Sequence, residues 1–272
     1  MMRHRIPTLA GMGLVFVLSA CSPKESPRPP AASGVQTREF NYQQGSTVLR
    51  GFVAWDAGRT ERRPGVLLVH EWWGENENMW NQARRLAQAG YVAFALDMYG
   101  NGKSTTHPDS AQAFMAAAVA DPATMTARFN AALAELKADP RVDTTRIAAI
   151  GYCFGGMVVL SQARAGANLR AVATFHGAMP PPAPTDSGSV KARMLILTGA
   201  KDPMVPPDKV DTFAKAMRAA GAVVEVVVYP DAMHGFTNPG ADSVGMAGLK
   251  YDAAADKASW AALLKMLLDV FG

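Results

Sequence analysis

Short, almost wholly apolar runs recur from residue 65 onward: GVLLVH (65–70), YVAFALD (91–97), RIAAIG (146–151), RAVATF (170–175), MLILT (194–198) and VVEVVVY (223–229). A run of that length without a polar alternation suits a strand buried on both faces. Stretches with helical patterning separate them, at 77–89 (closed by Gly90), 110–120, 123–138, from 154, 207–220 and 252–271. Strand–helix alternation on this scale predicts an α/β fold, with a mainly parallel sheet covered by helices on both faces. Ahead of it, 38–42 and 48–55 read as an antiparallel pair joined at Gly45-Ser46, which brings the expected sheet to eight strands. The segment between Phe175 and Met194 is short and Pro-rich, so no large cap domain is expected.

The chain has 272 residues, 49% hydrophobic and 18% charged, enough for one sizeable core and too apolar for global disorder. Its formal charge is +4, half of it from Arg3 and Arg5. No basic stripe or Arg/aromatic interleaving accompanies that charge, so nucleic acid is not an expected partner. Residues 1–20 read as an export signal, with a basic start (Arg3, Arg5) and an apolar run too short to span a bilayer. It ends in Leu18-Ser19-Ala20-Cys21, which resembles a bacterial lipobox. On this reading Cys21 is lipidated, and the acyl chains hold the protein to a membrane without spanning it. Residues 21–34, rich in Pro and Ser, read as a tether. The domain then occupies 35–272 and faces the periplasm. Ser22 after the Cys favours the outer membrane by similarity to known sorting rules. The other cysteine, Cys153, is then left without a disulfide partner.

Cys153 lies in Gly151-Tyr152-Cys153-Phe154-Gly155-Gly156, between a predicted strand and a predicted helix. This is the G-x-Nuc-x-G pattern of a nucleophile elbow, a turn so tight that the flanking positions must be very small. At a helix N-terminus the macrodipole favours thiolate. In such folds the acid and the base follow the nucleophile along the chain, past later strand ends. Asp202 follows MLILTG and His234 follows VVEVVVY, in that order. His234 is expected to move the proton and Asp202 to fix its tautomer. The loop His70-Glu71-Trp72-Trp73-Gly74 follows the first apolar run, so the backbone N–H groups of Trp72 and Phe154 are the expected oxyanion donors. A plainer role for Cys153 is a buried structural thiol beside packing glycines. A metal site from Cys153, His234 and His176 lacks the usual ligand spacings, and neither metal nor cofactor is expected.

VHEWWG (69–74), LDMYGNG (96–102), GYCFGG (151–156), TGAKDPMVP (198–206) and YPDAMHGF (229–236) together resemble the dienelactone hydrolase family, over nearly the whole chain from residue 35. The resemblance implies the α/β-hydrolase fold and cleavage of a small ester, lactone or thioester through a Cys-His-Asp triad and an acyl-enzyme. It implies that Glu71 hydrogen-bonds the resting thiol and helps to deprotonate it. It also implies two substrate-holding arginines, but Asn101 and Asn238 stand at those places, so dienelactone itself is not the expected substrate. His176 is a further pocket candidate. The chain is expected to act as a monomer, and the rival reading is a non-catalytic binding lipoprotein on the same scaffold.

Overall fold

The computed structural model describes residues 1–2, 34–181, 183–184 and 188–272. Residues 3–33, which hold nearly all of the expected signal, Cys21 and most of the tether, lie outside these residues. Among the described residues no helix is long and apolar enough to cross a membrane.

The domain opens with the antiparallel pair β1 (Val35–Gln44) and β2 (Thr47–Asp56). Then come β3 (Arg63–Val69), α1 (Glu77–Gln88), β4 (Val92–Leu96), α2 (Pro108–Val119), α3 (Pro122–Ala138), β5 (Val142–Tyr152) and α4 (Phe154–Arg164). The chain closes with β6 (Ala171–Phe175), β7 (Arg193–Gly199), α5 (Pro207–Ala219), β8 (Val224–Tyr229) and α6 (Ala253–Phe271). A 3-10 turn at Ala241–Val244, which the sequence did not announce, precedes α6. The eight strands form one sheet in the order β1-β2-β4-β3-β5-β6-β7-β8. From β4 to β8 every neighbouring pair is parallel.

β3 shows why these runs become strands. Leu67 and Val69 enter one core with α3, α4 and α5. Val66 and Leu68 enter the other, with α1 and α6. Alternate side chains thus serve opposite faces, and a fully buried Leu or Val stabilises the fold by about 1.5–3 kcal/mol. β5 starts earlier than the apolar run suggests, because Val142 already pairs with Arg63 before a register shift at Pro64/Gly65. Asn76 starts α1 by accepting from the amides of Asn78 and Met79, and Asp252 starts α6 in the same way. Both cores close among residues of the compact unit Ala32–Gly272.

Parallel strands place all their C-terminal ends along one edge of the sheet. Glu71, Cys153, His176, Asp202 and His234 follow β3, β5, β6, β7 and β8 there.

Candidate active site

β5 passes into α4 through Cys153, whose backbone stands at φ 52 and ψ −114. A non-glycine residue held there costs on the order of 1–3 kcal/mol, and such strain is found where a side chain must be presented outward. The turn is possible because its neighbours approach backbone to backbone. A Cβ on Gly151 would sit 2.1 Å from the Gly155 carbonyl oxygen, and a Cβ on Gly155 would sit 2.3 Å from that of Val69. The Cys153 amide donates to the Phe175 carbonyl at 3.0 Å, and its own carbonyl accepts from Gly156 and Ala178. The thiol is half-buried at the N-cap of α4.

Asp202 is buried in the turn after β7. Its Oδ1 accepts from the amides of Met204 and Val205, which leaves Oδ2 to accept from His234 Nδ1 at 2.8 Å. The other ring nitrogen of His234, Nε2, is buried with no partner in bonding geometry. Burial pulls the imidazole pKa down. The charge of the neighbouring Cys153 sulfur and the bond to Asp202 outweigh it, raising the value to about 10. The structure therefore brings Cys153, Asp202 and His234 into one electrostatic unit.

Glu71 departs from the arrangement that the resemblance implied. It is buried, and its Oε2 accepts from Asn238 Nδ2 at 2.8 Å and Asn78 Nδ2 at 3.3 Å. No bond joins it to the Cys153 thiol among the described residues, because these amides hold the carboxyl elsewhere. Burial pushes its pKa up, while the charge on His234 and the two amide bonds act against the shift. Asn238 thus holds Glu71 in place. Asn78, in the first turn of α1, was not singled out from the sequence; a helix-start asparagine carries no signal of a partner across the fold.

Asn101 is exposed, on a turn where its φ is 58 and its amide donates to the Val48 carbonyl. The Asp97 carboxylate organises that turn by accepting from the amides of Tyr99, Gly100 and Gly102. No hydrogen bond joins Asn101 to the other candidate residues among the described residues. His176 is also corrected. Its φ of 40 turns the side chain inward, where it is fully buried with its ring 5.1 Å from that of His234 and Nε2 2.9 Å from Thr237 Oγ1. Burial and the His234 charge hold its pKa well below the usual value. It packs behind His234 as a fully buried side chain.

The amides of Trp72 and Phe154 donate to no protein acceptor among the described residues. Three contacts set their spacing. Tyr99 Oη donates to the Trp72 carbonyl at 3.0 Å, the Tyr99 ring packs on Phe154 at 5.5 Å, and the Gly155 amide donates to the His70 carbonyl at 3.1 Å. His70 Nδ1 donates to the Glu71 carbonyl and its Nε2 accepts from the Met98 amide, so its tautomer is fixed. His70 and Tyr99 are further residues that the sequence did not single out. Among the described residues no cluster of His, Cys, Asp and Glu has the grouping needed to hold a metal ion.

A mostly parallel eight-stranded sheet with a strained cysteine between strand and helix, and an Asp–His pair past later strand ends, defines the α/β-hydrolase fold. Residues 49–271 match the sequence profile of the dienelactone hydrolase family. The chain belongs to that family. It is 32% identical over 184 residues to a putative carboxymethylenebutenolidase of Methylorubrum extorquens, covering 64% of this chain and 63% of that protein. The match thus spans less than two thirds of that relative's length. A putative carboxymethylenebutenolidase of Yersinia pestis is 28% identical, covering 75% of this chain and 79% of that one. Among solved structures, a dienelactone hydrolase-like promiscuous phosphotriesterase, P91, from metagenomic libraries is 36% identical, with a TM-score of 0.84. That alignment covers 88% of this chain and 100% of P91.

Proposed function

We propose that this hydrolase cleaves a small ester, lactone or thioester through Cys153, His234 and Asp202. The observation that carries this is the buried 2.8 Å bond from His234 to Asp202, at the same sheet edge as a cysteine held in a strained elbow. The bond fixes the His234 proton on Nδ1 in the neutral ring and leaves Nε2 to take the proton of Cys153. The thiolate attacks the carbonyl carbon, and the resulting oxyanion is held by the free amides of Trp72 and Phe154. When the intermediate collapses, the bond to the leaving group breaks and His234 returns a proton to it. Water then attacks the acyl-enzyme, with His234 as base, and Cys153 leaves as the thiol.

Burial next to the expected oxyanion donors raises the pKa of Glu71, against the charge of His234 and the two amide bonds. A second ionised carboxylate beside Asp202 and a thiolate would oppose the developing negative charge, and burial favours its protonated form. The exposed position of Asn101 and the use of Asn238 to hold Glu71 leave no arginine clamp, which points to neutral substrates. The export signal and Cys21 further support a protein anchored by lipid to a bacterial membrane, facing the periplasm. The likeness to P91 favours a second reading, in which the same thiolate attacks the phosphorus of a triester.

Short aryl esters, with an aryl phosphotriester in parallel, test both. Cys153→Ala and His234→Ala should each lower kcat/KM by at least about a thousandfold. Activity retained in both variants would overturn the mechanism.

A further inference from the structure

The edge of the sheet opposite Cys153 is lined with basic side chains at the strand starts. β3 opens at Arg63 behind Arg62, β6 follows Arg170, β7 opens at Arg193 behind Lys191, and the Arg218 guanidinium bonds the carbonyl of Val224 where β8 begins. These positions are contiguous. Arg146 reaches the Arg62 carbonyl, the Arg170 amide donates to Ile147, and the Arg193 amide donates to Arg170. Several acids near this edge are already paired. Asp56 and Glu61 pair with Arg59, Asp139 with Arg141, Asp143 with Arg146, and Glu225 and Asp269 with Arg193. Arg62, Arg170, Lys191 and Arg218 are exposed and have no acidic partner among the described residues.

The domain also begins at this edge. Val35 pairs with Asp56 at the end of β2, and the Gly34 carbonyl accepts from the Ala57 amide. β1 runs antiparallel to β2, which runs antiparallel to β4, so the start of β1 lies with the starts of the parallel strands. Gly34 and Val35 therefore lie at the basic edge, at the end of the sheet opposite Cys153.

We propose that this edge docks on an anionic phospholipid surface and holds the Cys153 edge facing away from it. The proposal rests on the anchored reading only for the source of the surface. A basic patch facing the membrane adds an electrostatic contact to acyl anchoring and sets the orientation of the domain. Uncompensated cations near an anionic membrane add to that attachment one by one, and salt screens them.

Residues 34–272, which close both cores, would be sedimented with phosphatidylcholine vesicles and with vesicles containing phosphatidylglycerol. Binding is expected only to the anionic vesicles, and it should be lost at about 1 M salt, where the Debye length is about 3 Å. The triple variant Arg62→Gln/Arg170→Gln/Lys191→Gln should bind about a hundredfold more weakly while hydrolysing a soluble ester at the wild-type rate. Lys103→Gln/Lys250→Gln, two exposed lysines elsewhere, should bind as wild type does. Equal binding to both vesicle types, an unaffected triple variant, or an equal loss in the lysine pair would overturn the proposal. The anchored reading fails separately, if mass spectrometry of the exported protein finds no acyl chain on Cys21.

Discussion

Gly155→Ala sets two effects of known size against each other. Gly155 occupies the first turn of α4, where alanine is favoured over glycine by about 1 kcal/mol. The added Cβ, however, would lie 2.3 Å from the Val69 carbonyl oxygen and 2.8 Å from that of His70. Both atoms are backbone at the end of β3, so no rotamer change relieves the contact, and α4 must move by roughly 1 Å to restore ordinary packing. Overpacking of this kind costs about 1–3 kcal/mol, and the Gly155–His70 bond, worth about 1 kcal/mol, is stretched as well. The net expectation is a loss of about 1–3 kcal/mol, or a fall in Tm of about 2–12 °C for a domain of this size. The same shift changes the spacing of the Phe154 and Trp72 amides, and a displacement near 1 Å is worth about a hundredfold in rate. Thermal unfolding and ester kinetics on the purified variant measure both. A variant as stable as wild type, with kcat within about twofold, would refute the packing argument, because propensity alone predicts a gain.

Glu75→Gln should stabilise the protein increasingly as pH rises. Burial raises the Glu75 pKa to about 8, Trp80 Nε1 bonds its Oε1, and its Oε2 is buried without a partner. The folded state thus keeps a proton that the unfolded chain loses near 4.5. The advantage of Gln should grow by about 1.4 kcal/mol per pH unit between those values, read by urea unfolding, and a constant difference would refute it. His70 and His176 are held below 6.5 by burial, so stability should fall as pH drops below that value, by up to about 1.4 kcal/mol per unit for each. His176→Gln should flatten that limb; an unchanged slope would show that His176 is not the source. His234 has the opposite sign. Its contribution is complete below 6.5 and is lost as pH rises through about 10. Asn238→Ala removes the 2.8 Å donor from Glu71 and should cost about 1–2 kcal/mol of unfolding free energy, whereas a cost near zero would mean that Asn78 alone suffices.

The strands could be read from the sequence because a sheet buried on both faces needs unbroken apolar runs, and β3 to β7 have them. Their order could not, since nothing in those runs says that β4 lies between β2 and β3. Cys153, Asp202 and His234 were visible because each follows a strand whose C-terminal end must reach the same edge. Asn101 and His176 also follow strands, but backbone conformation decides where such side chains go. Asp97 takes up the amides around Asn101, and the positive φ of His176 turns its ring behind His234. Asn78 was invisible for a different reason. Its partner is Glu71, and only the packing of α1 against the sheet brings them together.

The bond between Asn238 and Glu71 joins residues 167 positions apart. Contacts at such separation gain their energy only after the intervening chain has paid its closure entropy, so they form late. While the chain is still being made, Cys153 lacks its neighbour His234, because β8 and the loop after it have yet to arrive. On the proposed mechanism, reactivity is thereby tied to completed folding, and a half-made molecule is chemically quiet.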